Sequence, residues 1–312
     1  MITTVTLNPC VDLTVALPSF SPGKLNLVEK TRADISGKGI NLAIVLAELN
    51  VPAVCAGINY TGNENGALLE EKLGGLGIPF EFVKAPGEMR TNIKIMDEAK
   101  NEMTELNGRG EPVSTEILDR VLEKLKALGE ESEIIALGGR LPNGADEHYY
   151  RQCIEALSGY RAKIVVDADG GALKKAIEAR PYLVKPNAYE LGALFGCEVR
   201  TREDAVMLSR EIIARGVEVV CCSMGEGGAV IVNEGGAYFS PALPIVPKGF
   251  QGAGDSMAAG ICKAITEERP IQDMLRFGMA AAAASIIKEG TMLCERADYE
   301  GFLGRVEVME VN

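Results

Sequence analysis

The sequence predicts an α/β chain: a doubly wound, mostly parallel sheet flanked by helices, with a small β-sheet lid. Three observations carry that reading. Apolar strand-like runs alternate with helical periodicity along most of the 312 residues, the pattern of stacked strand–helix units. Small and polar residues follow the strand ends at Gly138-Gly139, Asp167, Lys185-Pro186-Asn187 and Gly225, where the ligand crevice of such a sheet opens. The alternation breaks at Arg90–Asp97 and Glu102–Asn107, which read as a hairpin with one dry and one wet face.

In chain order, residues 2–7 form a buried strand ending at Asn8-Pro9, and Val11–Val15 alternates as a second, half-exposed one. A turn from Pro18 to Gly23 leads to a short strand near Leu25–Thr31. Ser36-Gly37-Lys38-Gly39-Ile40-Asn41 opens a helix that runs to Leu49. Val54–Tyr60 and Pro79–Val83 are strands around a helix at Glu64–Leu73, with Leu68, Leu69 and Leu73 inward. Beyond the hairpin, Ser114 caps a helix that spaces Ile117, Leu118, Val121, Leu122, Leu125 and Leu128 on one face. Strands at Glu133–Leu137, Lys163–Asp167, Tyr182–Lys185 and Glu218–Ser223 alternate with helices near 146–157, 171–179, 188–195 and 202–215. Thr201 and Asp204 suit a capping box. Ala229–Val232 and Ala237–Phe239 pair as a hairpin, and two helices follow, the second from about Ile271 to Lys288 with an alanine run at Ala280–Ala284. All this makes a single domain, 1–312, with the lid formed by about 12–33 and 89–107.

A net charge of −12 argues against nucleic acid or an anionic membrane as partner. The eight cysteines form no CxxC pair and sit mostly in apolar runs, as reduced thiols of a cytoplasmic protein do. His148, the single histidine, leaves no His-ligated zinc cluster and no Ser-His-Asp triad. Met279–Ile287 is too short to span a bilayer, and the N-terminal residues lack the form of a signal peptide. An acidic protein that binds phosphate must gather its cations locally, so lysines and arginines beside glycine turns matter most.

One such turn leads into the segment around Gly252, Ala253, Gly254 and Asp255. Glycines before a helix let successive N–H groups converge on one anion, and the helix dipole adds positive potential there. A carboxylate beside that nest repels the guest, so Asp255 makes sense as a base that deprotonates an attacking hydroxyl. On this segment alone, an acidic helix cap explains it equally well. Gly37-Lys38-Gly39 is a second glycine-led helix start; it is neither a Walker A loop nor a Rossmann fingerprint.

Six segments taken together narrow the choice: Thr6-Leu7-Asn8-Pro9-Cys10-Val11-Asp12, Gly37-Lys38-Gly39-Ile40-Asn41, Arg90-Thr91-Asn92-Ile93-Lys94-Ile95, Lys185-Pro186-Asn187-Ala188-Tyr189-Glu190-Leu191, Ser223-Met224-Gly225-Glu226-Gly227-Gly228 and Gly252-Ala253-Gly254-Asp255-Ser256-Met257. Over nearly the whole chain they resemble the PfkB family of carbohydrate kinases with its ribokinase-like fold, nearest to members that act on phosphorylated ketohexoses. The resemblance implies ATP and Mg²⁺. It makes Asp255 the base and the N–H groups of Gly252, Ala253 and Gly254 the anion hole. Asp12 and Asn41 would hold sugar hydroxyls, Gly37 and Gly39 would allow close approach, and Lys38 and Arg90 would take the sugar's existing phosphate. Lys185, Asn187, Ser223, Gly225 and Gly228 would line ATP, with the alanine run beside adenine. Asn187 and Glu190 would organise Mg²⁺ through waters.

The implied reaction is phosphorylation of fructose 1-phosphate at C6; tagatose 6-phosphate or fructose 6-phosphate at C1 is the alternative, and a sugar-phosphate sensor without catalysis a lesser one. A homodimer through the lid is implied too, with Lys24 reaching the neighbouring site. Three departures stand out: Ser36 replaces a glycine, Gly249-Phe250-Gln251 replaces a polar pair, and Arg140 stands where a small hydroxyl residue is usual. Arg140 is either an extra phosphate ligand or a change in the sugar accepted.

Overall fold

β1 (Ile2–Thr6), made entirely of β-branched residues, is buried throughout and lies between two parallel neighbours. The computed structural model describes residues 1–249, 251–288 and 292–311. After β1 come β2 (Cys10–Leu17), β3 (Lys30–Ser36), α1 (Lys38–Glu48), β4 (Ala53–Tyr60), α2 (Asn65–Gly75) and β5 (Phe80–Ala85). β6 (Arg90–Asp97), β7 (Glu102–Asn107), α3 (Thr115–Gly129), β8 (Ile134–Gly138) and α4 (Tyr149–Ala156) follow. Then run β9 (Lys163–Asp167), α5 (Gly170–Glu178), β10 (Leu183–Val184), α6 (Ala188–Phe195), α7 (Arg202–Ile213) and β11 (Val219–Ser223). The chain finishes through β12 (Ala229–Asn233), β13 (Gly236–Ser240), α8 (Ala253–Thr266), α9 (Ile271–Ile286), α10 (Arg296–Leu303) and β14 (Met309–Val311).

The large sheet has the order β14-β13-β12-β11-β10-β9-β8-β1-β4-β5. It is parallel from β5 to β11 and antiparallel from there to β14. Separate apolar cores cover its two faces: Leu69, Leu125, Tyr150 and Leu173 belong to one, and Leu46, Ile261, Leu275 and Ala280 to the other. Because β1, β8, β9, β10 and β11 run the same way, Asn8, Gly139, Asp167, Lys185 and Ser223 reach one edge of the sheet together.

The helix expected around Glu64–Leu73 buries Leu69 and Leu73, but Leu68 is exposed. Beyond it, the alanine run of α9 has two uses. Ala280, Ala281 and Ala284 are buried where α9 packs on α8, closely enough that a Cβ on Gly260 would collide with the Phe277 carbonyl. Ala282 and Ala283 instead line a cavity.

The four-stranded small sheet is ordered β3-β2-β6-β7. Its first outer strand begins at Lys30, beyond most of the expected Leu25–Thr31 segment. The Asn26 carboxamide accounts for the difference: it bonds Ser21 N, Ser21 O and Lys24 O, closing a turn that takes this backbone out of pairing. The two faces of β6 are also the reverse of a surface hairpin. Asn92 and Lys94 are buried, whereas Ile93 and Ile95 are half-exposed. The polar side chains face the large sheet across a cleft and satisfy one another there, while the described residues leave the apolar face largely uncovered.

Candidate active site

The cleft between the two sheets divides into two cavities with different chemistry. The first, of about 500 Å³, is polar, with Asp12, Asn41, Lys38, Arg90, Lys94 and Arg140 among its lining. Its lining balances those four cations against Asp12, Glu105, Asp169 and Asp255, so it is far less negative than a chain of charge −12 is as a whole. The second, of about 660 Å³, has Lys185, Asn187, Glu190, Ser223, Gly225 and Gly228 at one end. Its other end is an apolar shelf of Leu243, Ile245, Met279, Ala282 and Ala283. Lys38 and Gly254 belong to both walls.

Asp255 stands where the cavities meet. It is the third residue of α8, and Gly252 enters that helix at φ 72°, a left-handed turn that glycine adopts without steric cost. Among the described residues, no backbone hydrogen bond uses the N–H of Gly252, Ala253 or Gly254. The helix start therefore offers donors and a positive dipole end together. Asn41 Nδ2 donates to Asp255 Oδ2 at 2.7 Å, fixing the carboxylate. Burial raises the Asp255 carboxyl above its ordinary value and nearby Asp167 adds to this, while Lys38, the Asn41 bond and Lys185 oppose it.

Asp167, at the end of β9, is the pivot for both lysines. Lys38 Nζ donates to its Oδ1 at 2.6 Å, and Lys185 Nζ lies 3.1 Å from its Oδ2. Burial alone would raise this carboxyl, but the two ammonium groups outweigh it and hold it below the usual range. Burial likewise opposes charge on Lys38, yet Asp167, with Asp255 and Glu190 further off, holds the ammonium above its ordinary value.

On the polar side, Asp12 accepts from Asn92 Nδ2 at 2.9 Å and lies 3.0 Å from Lys94 Nζ. Arg90 donates to Asn8 O, Asn92 Oδ1 and Gly108 O, bracing its guanidinium at the cavity wall. Arg140 is exposed, 3.5 Å from Asp169. The Cys10 thiol is raised to about 12, chiefly by burial and then by Asp12, so it stays protonated. Gly37 lines this cavity, but Gly39, expected to admit the sugar, lies behind the wall against β1, where a Cβ would meet Val5 O and Thr6 Oγ1. Its lack of a side chain serves packing. Phe250 lies outside the described residues.

At the start of α6, Asn187 and Glu190 form a capping box. Glu190 N donates to Asn187 Oδ1 and Asn187 N to Glu190 Oε2, each at 2.8 Å. The cap engages Glu190 Oε2, and Glu190 lines the second cavity. Burial raises this carboxyl above its ordinary value. No cluster of three or more His, Cys, Asp or Glu among the described residues could hold a metal. Asn187 and Glu190 offer oxygen atoms, the donor type that a hard divalent cation takes together with waters and phosphate oxygens.

Asn92, Lys94, Asp167 and Gln251 are site residues that sequence reasoning assigned no role. The signal for the first two was present in the alternation of β6, but its polar face was read as facing solvent.

An anion-accepting helix start and a fixed carboxylate between an apolar-backed cavity and a polar one describe a phosphotransferase acting on a sugar hydroxyl. Comparison with known proteins supplies the family. The pfkB family carbohydrate kinase model matches residues 5–298, and the chain belongs to that family. It is 33% identical over 293 residues to a Bacillus subtilis 1-phosphofructokinase, with 93% of each chain covered. It is 35% identical to a Rhodobacter capsulatus 1-phosphofructokinase, covering 94% of this chain and 92% of the relative. The solved structure of phosphofructokinase-2 from Escherichia coli superposes with a TM-score of 0.89 at 28% identity, covering 97% of this chain and 98% of that one. Sugar kinases of this family use ATP, generally with a metal ion.

Proposed function

We propose that this chain transfers the γ-phosphoryl group of ATP to the C6 hydroxyl of fructose 1-phosphate, releasing ADP and fructose 1,6-bisphosphate. The relatives named 1-phosphofructokinase support the acceptor. The observation that carries the chemistry is the placement of Asp255, at the junction of the two cavities, beside the N–H groups of Gly252, Ala253 and Gly254, which have no backbone acceptor among the described residues. ATP lies in the second cavity with adenine on the Leu243–Ala283 shelf and its phosphates toward Lys185, Ser223, Gly225 and Gly228. The sugar occupies the first, its hydroxyls on Asp12 and Asn41 and its phosphate near Arg90 and Arg140. Lys38, on the shared wall, serves the phosphates that meet there. Asp255 takes the C6 proton as the new P–O bond forms and the bond to ADP breaks; the N–H groups of Gly252, Ala253 and Gly254 receive the charge on the transferring oxygens. Asn187 and Glu190 would hold Mg²⁺, which would neutralise phosphate charge.

The small sheet, within 12–33 and 89–107, acts as the lid that keeps water from the phosphoryl group. Its outer face pairs Leu13 with Ile93 and Ile93 with Leu106, and Leu25 and Leu27 are exposed nearby. A homodimer through this face would cover them, and Ile93→Glu should then sediment as a monomer. No helix among the described residues is long and apolar enough to cross a membrane; a cytoplasmic enzyme fits this.

A coupled ADP-release assay over fructose 1-phosphate, fructose 6-phosphate, tagatose 6-phosphate and free fructose tests the assignment. Fructose 1-phosphate should give the highest kcat/KM. A preference for either 6-phosphate would move the acceptor to C1, and ATP binding without turnover on any sugar would make the chain a sensor.

A further inference from the structure

One ammonium ties the sugar side of the site to the phosphoryl side. Lys94, in the middle of β6, has only 8% of its side chain exposed. Its Nζ lies 3.0 Å from Asp12 Oδ2 and donates to Gln251 Oε1 at 2.8 Å. Gln251 immediately precedes Gly252, whose left-handed turn opens the amide nest. The other end of the same carboxamide, Nε2, donates to Met103 Sδ of β7 at 3.1 Å. Both ends of Gln251 are thus held by the small sheet, and among the described residues no other side-chain hydrogen bond joins that sheet to 249–254.

We propose that the Lys94–Gln251 bond is a latch that positions the N–H groups of Gly252, Ala253 and Gly254, so the nest depends on the sheet that holds the sugar. The inference rests on the kinase reading above. Asp12 already offsets the charge of Lys94, so Gln251 is not needed for neutrality. A carboxylate there would place negative charge beside the incoming phosphoryl group, whereas a neutral amide accepts from the lysine without doing so. A hydrogen bond from an ammonium is among the stronger ones available to hold a loop. The nest meets its charge chiefly in the transition state, so misplacing it lowers kcat more than it raises either KM.

Gln251→Leu removes both contacts and leaves the Lys94–Asp12 pair intact, so the small sheet should still form. The latch predicts a fall in kcat of about 30- to 100-fold, with KM for ATP and sugar phosphate changed less than about threefold. Adding Gln251→Leu to Lys94→Met should cost little beyond Lys94→Met alone, since both break one link. A Gln251→Leu enzyme with wild-type kcat, a loss confined to KM, or a double variant that loses about tenfold or more beyond Lys94→Met would each overturn the latch. If the unaltered chain releases no ADP with any ketohexose phosphate, the kinase reading falls and the latch with it. If it turns over and Gln251→Leu matches it, only the latch falls.

Discussion

Replacing Asp167 by Asn tests the electrostatics that the two lysines depend on. The substitution keeps shape and removes the charge that pairs with both Lys38 and Lys185. Lys38 has 35% of its side chain exposed and can turn to solvent, but Lys185 has 4% and cannot. One uncompensated buried cation costs about 3–5 kcal/mol. For a 312-residue chain, a loss of about 3 kcal/mol lowers Tm by roughly 5 °C. The sign of the pH dependence follows from the lowered folded-state carboxyl. Its stabilisation is complete above the unfolded value, near 4, and is lost as pH falls through the folded value. Scanning calorimetry of both proteins should therefore show a gap that is constant from about pH 8 to 5 and narrows below about 4. No gap at pH 7, or one unchanged in acid, would refute the pairing.

Three further outcomes follow from the same geometry. Asp255 must be ionised to act, and burial raises its carboxyl above 3.8; the acid limb of kcat should lie above that value, and Asn41→Leu should move it higher by removing a bond to the charged form. Arg90→Lys loses a fork that bonds three acceptors, so KM for the sugar phosphate should rise about tenfold or more with little change for free fructose, measured by steady-state kinetics. Ala282→Phe fills the apolar shelf; KM for ATP should rise at least about tenfold while KM for the sugar phosphate stays within about twofold.

The large sheet was legible because most of its central strands are short runs of β-branched and apolar residues and its helices keep a 3.6-residue period; α3 begins at its Ser114 cap as its spacing predicts. The glycine-led starts of α1 and α8 were legible for a related reason, since their backbone demands narrow the residue choice. What escaped were features made by long-range pairing. Asp167 could be seen at a strand end, but not that it would hold lysines 129 and 18 positions away in sequence. The alternation of β6 was visible, yet which face meets water depends on the large sheet across the cleft. Gly39 shows the same limit: its motif resembled a ligand loop, and its backbone neighbour turned out to be β1.

The most direct test is single-turnover and steady-state kinetics of Asp255→Asn beside ATP affinity by isothermal titration calorimetry. The account predicts kcat reduced by about 10² to 10⁴, with ATP bound about as tightly as by the unaltered protein. A variant that turns over within tenfold of the unaltered protein would contradict it.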